Sequence, residues 1–182
     1  MVVFLLSKFP ADSGKRKREL SLSPSSSSTR QPKIKYQVFL SFRGVDTRTN
    51  FTDHLYVALK KKGIDTFRDE EELKKGERIA ELFKVIEESQ FAIIILSRNY
   101  ASSRWCLDEL AKIIKCKDEI GLKVLPVFYD VSPYVVRTQT ETYEQAFIDH
   151  RTLYNENIEK VETWRNALRE VASIKGWHLK DR

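Results

Sequence analysis

The segment SRNYASSRWCLDEL (97–110) brings three chemically useful side chains close together. Trp105 and Glu109 are four residues apart and so share one face of a helix, and Ser103 stands just upstream. An indole ring can stack on a nucleobase, and a carboxylate can accept hydrogen bonds from ribose hydroxyls. These residue types at this spacing indicate a pocket for a nucleotide-like molecule.

A guanidinium group and backbone free of a side chain occur together at positions 43 and 44. Arg43 and Gly44 follow an apolar run, a combination suited to approaching a phosphate or pyrophosphate. The pair of Trp105 and Glu109 also has a purely structural interpretation. In that interpretation Trp105 packs at the start of its helix, and Glu109 faces solvent and pairs with Lys112 three residues on. Spacing alone leaves both interpretations open.

Several common chemistries lack their sequence signals. The six glycines form neither a G-x-G-x-x-G pattern nor a Walker loop, which removes the usual dinucleotide and NTPase phosphate cradles. A phosphorelay receiver needs acids after its first and third strands, where this chain has Arg43 and Ser97. The histidines show no spacing typical of metal ligands or of a catalytic triad. They are His54, His150 and His178.

The excess of basic residues lies in one part of the chain. The formal net charge is +6, and residues 1–35 hold eight basic and two acidic side chains, so the remainder is neutral. The basic pI therefore does not indicate that the folded part binds nucleic acid. The basic cluster 15–18 and the serine-rich tract 21–29 predict a disordered tail over residues 1–35. That cluster is either a nuclear import signal, a phosphate-attracting arm or a solvated linker.

The cysteines and the apolar runs indicate the compartment. Cys106 and Cys116 fall in one helical stretch about 15 Å apart, beyond disulfide reach, which predicts a reducing environment. Nowhere does an apolar run reach the roughly 18 residues of a membrane span, and the first six residues lack the features of a secretion signal. We expect a cytoplasmic location, and a nuclear one if the basic cluster directs import.

From residue 36 to residue 179, short apolar runs alternate with amphipathic stretches, the pattern of a parallel sheet covered by helices. Residues 180–182 would begin a linker. The prediction is an α/β fold of flavodoxin-like type, a five-stranded parallel sheet in three layers. In that strand order the ligand crevice lies between strands one and three. Strands are predicted at 36–42, 64–67, 91–96, 122–129 and 176–179, and helices around 51–59, 79–86, 103–114, 143–153 and 161–174.

Five blocks of sequence together resemble the TIR domain of plant nucleotide-binding leucine-rich-repeat immune receptors. The resemblance runs from about residue 35 to a closing GWHL at 176–179. The blocks are YQVFLSFRG (36–44), DTRTNFTDHLYVAL (46–59), GIDTFRDEEELKKGERI (63–79), SRNYASSRWCLDEL (97–110) and VLPVFYDVSPYVVR (124–137).

The resemblance implies hydrolysis of NAD or NADP to nicotinamide and ADP-ribose or its cyclic variants, switched on by self-association, in plant defence and cell death. NAD or NADP is the substrate, and no cofactor or metal is implied. Glu109, in the W-C-L-x-E-L motif, inherits the catalytic role. The implied substrate-binding residues are Arg43, Gly44, Ser103 and Trp105, together with Asp69 and Lys75 in a mobile covering loop (69–76).

The sequence departs from the family pattern at several positions. Gln37 replaces a usual Asp, Val45 a usual Glu, and the segment 79–82 is one residue short. Asp53 replaces the Ser that precedes His54, and Glu141 replaces a common Gly. In the family these last three positions belong to self-association surfaces, so the resemblance implies that self-association is weakened here.

Two other functions stay open at this stage. One is a TIR scaffold that signals through TIR–TIR contacts without catalysis. The other is a nucleic-acid hydrolase or cyclic nucleotide synthetase, which the neutral charge of residues 36–182 does not favour. The expected partners are NAD(P), further copies of the chain and other TIR receptors. No membrane partner is expected, and the folded domain is not expected to bind nucleic acid.

Overall fold

A five-stranded parallel sheet in the order β2-β1-β3-β4-β5 forms the centre of the protein. The computed structural model describes residues 6–9, 34–68 and 77–180. This sheet confirms the predicted α/β fold of flavodoxin-like type. The strands are β1 (Tyr36–Phe42), β2 (Thr66–Arg68), β3 (Ser89–Leu96), β4 (Lys123–Tyr129) and β5 (Trp177–Leu179).

Helices connect the strands and cover both faces of the sheet. A π-helical turn (Arg48–Thr52) follows α1, and a 3₁₀ turn (Tyr100–Ser102) precedes α4. The α-helices are α1 (Gly44–Thr47), α2 (Asp53–Lys61), α3 (Glu77–Glu87), α4 (Arg104–Ile120), α5 (Pro133–Thr138), α6 (Thr142–Leu153) and α7 (Ile158–Val171).

Alternation along the strands separates two apolar cores. Phe39, Ala92 and Phe128 belong to a cluster that helices α3 to α7 cover on one face of the sheet. Leu40 and Ile93 belong to a second cluster on the other face, covered by α2. Because both faces are buried, β3 is apolar from its third residue onward, as the sequence predicted.

Proline is accommodated within β4, a strand with neighbours on both sides. Pro126 stands opposite Ile94 of β3. Just before β5, a Cβ atom at Gly176 would lie 2.4 Å from the carbonyl oxygen of Pro126. The chain therefore needs glycine there to approach β4 so closely.

A short N-terminal segment, residues 6–9, packs against the domain. The Phe9 side chain is only 3% exposed, and its ring centroid lies 4.8 Å from that of Phe91 at an angle of 70°. Lys62 Nζ donates a 2.5 Å hydrogen bond to the carbonyl of Leu6. The predicted disordered tail over 1–35 is therefore wrong for these four residues, because an apolar side chain close to the N-terminus finds a place in the second core. The basic and serine-rich tracts lie outside the described residues.

Neither a membrane helix nor a metal cluster occurs within the described ranges. Among these residues no helix is both long and apolar enough to cross a bilayer. A group of three or more His, Cys, Asp or Glu side chains suited to a metal ion is likewise not found in them. Cys106 and Cys116 are both buried and free, in agreement with the prediction that they do not pair.

Candidate active site

The strand order predicts a crevice at the point where β1 and β3 end side by side. These two strands pair in parallel, with Ser41 opposite Ile94 and Phe42 opposite Ile95. The connections that follow them lead into α1 and α4. This is the position at which open α/β sheets bind their ligands.

The Glu109 carboxylate is buried at this crevice. Its residue is 3% exposed, and its Oε2 accepts a hydrogen bond of 2.7 Å from the hydroxyl of Ser41. Lys112 instead donates to Glu87 on α3. The structural alternative for Glu109, a solvated carboxylate paired with Lys112, is therefore wrong. A buried carboxylate is the less common case and is typical of functional sites.

A second hydroxyl stands behind Ser41. Tyr100 Oη lies 2.8 Å from Ser41 Oγ and donates a 3.0 Å hydrogen bond to the carbonyl of Cys106. Burial raises the pKa of Tyr100 well above its ordinary value, and the Cys106 and Glu109 side chains add to this effect. The phenol therefore keeps its proton and remains a hydrogen-bond donor.

Arg43 is held in place by residues that sequence reasoning did not select. Its guanidinium forms an ion pair with Asp46. The other carboxylate oxygen of Asp46 accepts a 2.5 Å hydrogen bond from the hydroxyl of Ser97, just after β3. Arg43 is thus tied to the connection that leads towards Glu109. The single sequence signal was the position of Asp46 and Ser97 in the connections that follow the two paired strands.

Gly44 leaves room for a second guanidinium. A Cβ atom at this position would lie 2.8 Å from Nη2 of Arg48. The Arg48 guanidinium also lies over the ring of Phe42, 5.4 Å from its centroid. A side chain at position 44 would displace Arg48, so the glycine keeps two cationic groups next to the crevice.

Ser103 and Trp105 begin helix α4. The hydroxyl of Ser103 accepts a 3.3 Å hydrogen bond from the backbone amide of Cys106, which makes Ser103 the N-cap. Trp105 is partly buried and packs against the first apolar core, as its structural interpretation predicted. Its Nε1 has no hydrogen-bond acceptor among the described residues. A stacking role for this ring stays a prediction.

Helix α6 holds the connection between β3 and α4 through side-chain contacts to its backbone. The hydroxyl of Tyr143 donates a 2.9 Å hydrogen bond to the carbonyl of Ser97, and Thr142 donates to the carbonyl of Arg98. His150 Nε2 lies 2.8 Å from the carbonyl of Ala101. One helix therefore positions the backbone that carries the candidate site.

The predicted self-association residues lie on other parts of the surface. On α2, Asp53 forms an ion pair with Arg68, and its neighbour His54 is exposed. Glu141 precedes α6 with φ 56° and ψ −127°, a backbone conformation that favours glycine. Their role in self-association stays a prediction. The predicted substrate contacts Asp69 and Lys75 lie outside the described residues.

Comparison with known proteins agrees with this geometry. A family model described as the TIR domain matches residues 35–182. The TMV resistance protein N of Nicotiana glutinosa is 53% identical over 156 residues, which are 85% of this chain and 13% of that protein. The disease resistance protein RPV1 of Vitis rotundifolia is 53% identical over 162 residues, 86% of this chain and 11% of that protein. The chain thus spans about an eighth of the length of these relatives.

A solved structure is similar in both fold and sequence. The TIR domains in the structure of the activated Roq1 resistosome directly recognizing the pathogen effector XopQ superpose with a TM-score of 0.73 and 49% identity. The similarity covers 80% of this chain and 88% of that one. From its sheet order, its crevice residues and these matches, the chain belongs to the TIR domain family.

Proposed function

We propose that this TIR domain releases nicotinamide from NAD or NADP, with Glu109 as the catalytic carboxylate, once several copies have assembled. The observation that supports the proposal most is the burial of Glu109 at the β1–β3 crevice, with its Oε2 bonded to Ser41. A carboxylate that is removed from water exerts a strong field on a nearby positive charge. The proposed reaction moves the positive charge of the nicotinamide ring onto the ribose.

The chemistry requires one carboxylate and no strong general acid. The glycosidic bond between ribose C1′ and the nicotinamide nitrogen breaks, and its electron pair neutralises the pyridinium. The ribose becomes an oxocarbenium-like cation, which the negative charge of Glu109 stabilises. Water then attacks C1′ and loses a proton to solvent, giving ADP-ribose, or an adenine nitrogen of the same molecule attacks and gives a cyclic product.

Arginine side chains next to the crevice suit the rest of the substrate. Arg43 and Arg48 supply positive charge near the ends of β1 and β3, which a pyrophosphate would neutralise. Asp46 already pairs with Arg43, so a bound pyrophosphate would share or replace that ion pair. In this proposal the ring of Trp105 stacks on a base or on nicotinamide.

In this proposal, assembly gives the substrate access to Glu109. Because Glu109 is 3% exposed, a dinucleotide reaches it only after the crevice opens, and contacts between copies would favour the open form. The solved TIR domains of the Roq1 resistosome belong to an activated assembly, which supports self-association as the trigger. By similarity to the N and RPV1 resistance proteins, we infer that the product signals immune defence. A role in cell death follows from the family resemblance alone.

Nicotinamide release from concentrated, crowded protein tests the proposal directly. We expect turnover of NAD or NADP by the wild type and a loss of about 10²-fold or more in Glu109→Ala. Glu119→Ala is a matched control, because Glu119 lies on the same helix with a side chain 57% exposed, and it should retain full activity. Equal turnover in all three proteins, or none in the wild type, would reject the Glu109 mechanism and favour a scaffold that signals by contact alone.

A further inference from the structure

We propose that Ser41 is a positioning residue for the Glu109 carboxylate, and that Tyr100 holds Ser41 in the orientation that this requires. The inference rests on the proposed function of Glu109 and extends it to two residues that do not touch the substrate. Both were absent from the sequence prediction. They form a buried chain of hydroxyls that leads from the 3₁₀ turn before α4 to the carboxylate.

The direction of the hydrogen bonds among Tyr100, Ser41 and Glu109 follows from the fact that each hydroxyl carries one proton. Ser41 Oγ has one proton and donates it to Oε2 of Glu109 across 2.7 Å. The contact of 2.8 Å between Ser41 and Tyr100 must then use the phenol proton, which Tyr100 shares between Ser41 and the carbonyl of Cys106. The buried phenol remains protonated at neutral pH, so this donor is permanent.

The chain of hydroxyls joins rigid parts of the fold. Ser41 is fully buried near the end of β1, in register with Ile94 of β3. Tyr100 is also fully buried and reaches the first turn of α4 through the Cys106 carbonyl. A carboxylate on a helix is thereby fixed relative to the sheet that forms the floor of the crevice.

Fixing the carboxylate matters more in the transition state than in the ground state. As the glycosidic bond breaks, the positive charge moves from the nicotinamide ring to the ribose, so misplacing the carboxylate chiefly weakens the interaction with the ribose that forms in the transition state. Removal of the Ser41 hydroxyl should therefore lower kcat by about 10- to 100-fold and leave KM within about twofold. If Ser41 had a purely structural role, Ser41→Ala would lower the amount of folded protein, and the protein that folds would keep its kcat.

Ser89→Ala is the matched control for Ser41→Ala. Ser89 is also a buried serine on a central strand, and its hydroxyl donates a 2.7 Å hydrogen bond to the carbonyl of Val85. It starts β3, at the opposite end of the sheet from the crevice. With self-association checked to be equal, Ser41→Ala should lose kcat while Ser89→Ala keeps it, and Tyr100→Phe should fall between them. Equal kcat in Ser41→Ala and Ser89→Ala would overturn the inference.

A second measurement does not depend on NAD turnover. If Ser41 donates to Glu109, the loss of stability caused by Ser41→Ala should be smaller in a Glu109→Ala background than in the wild type. The readout is the urea midpoint of the four proteins of this cycle. Equal shifts in both backgrounds would overturn the Ser41–Glu109 link even in a protein without activity. If the urea midpoints show coupling between Ser41 and Glu109 but Glu109→Ala turns over NAD as fast as the wild type, the proposed function is rejected and the Ser41–Glu109 hydrogen bond is kept.

Discussion

The hydroxyl of Tyr143 donates a 2.9 Å hydrogen bond to the backbone carbonyl of Ser97. The hydroxyl of Ser97 in turn donates to Asp46, and Asp46 pairs with Arg43. A helix on the flank of the domain is therefore linked through two intervening residues to a guanidinium at the candidate active site.

We expect Tyr143→Phe to destabilise the domain by about 1 kcal/mol, because a buried hydrogen bond is lost and the Ser97 carbonyl keeps only the backbone amide of Tyr100 as a donor. The measurement is the free energy of unfolding in urea. Tyr134→Phe is the control, because Tyr134 is 62% exposed and its substitution should change nothing. Equal stability of both variants would show that the Tyr143 hydroxyl contributes nothing to the fold.

Stability should fall steeply in alkaline solution. Burial raises the pKa of Tyr143 well above its ordinary value, with Cys106 and Asp46 adding to it, and burial raises the pKa of Tyr100 in the same direction. An unfolded tyrosine ionises near pH 10. The neutral phenols therefore stabilise the fold fully below about pH 10, and this contribution is lost as the pH rises towards their folded values.

Urea unfolding between about pH 8 and pH 11 measures this dependence. In Tyr143→Phe the alkaline decline should be shallower, because one buried phenol no longer ionises on unfolding. Tyr134→Phe should keep the decline of the wild type. A flat profile in the wild type, or the same slope in all three proteins, would contradict the prediction.

Glu141→Gly should stabilise the domain by about 1 kcal/mol. A non-glycine residue at φ 56° and ψ −127° is strained, and the relief exceeds the extra chain entropy of glycine in the unfolded state. Thermal melting measures the change. Glu141→Ala removes the charge and keeps the strain, so it should give no gain. Glu144→Gly, within α6, should lower the melting temperature, and a similar loss in Glu141→Gly would show that position 141 is unstrained.

Asp53→Ser should raise the mass observed in sedimentation of concentrated protein. If α2 forms a two-fold symmetric contact, Asp53 approaches its own copy across the axis, and two like charges repel. The ion pair with Arg68 leaves Asp53 with a side chain 44% exposed, so its charge still acts at the surface. Asp65→Ser, which removes an acid 75% exposed, should leave the mass unchanged. No gain in Asp53→Ser would remove Asp53 as a cause of weak assembly.

The elements that sequence reasoning found are those with strong local patterns. β1 was predicted with its exact bounds because its apolar run lies between two basic residues, Lys35 and Arg43. The edge strand β2 begins two residues later than predicted, since Ile64 is buried before the ladder starts. Helix α5 was missed because six residues, starting at a proline, are too few to show a helical period.

For the candidate site too, sequence reasoning found the residues that form a local pattern and missed those that are distant in the chain. Trp105 and Glu109 share a short motif, whereas Ser41 and Glu109 are 68 residues apart in the chain. Ser97 and Asp46 are separated by 51 residues. A hydroxyl within an apolar strand signals a buried partner, but a single sequence does not say which one. The catalytic and self-association roles stay predictions until the variants are measured.

Within the described residues, the outer strands β2 and β5 each span three residues. Such short edges offer a neighbouring chain few free backbone groups, which is how natural sheets resist edge-to-edge growth. In the proposed assembly, copies of this domain would then meet through helices and loops, and such contacts separate on dilution instead of growing into a fibril. An activity that assembly turns on, as proposed above, would therefore also turn off when the copies separate.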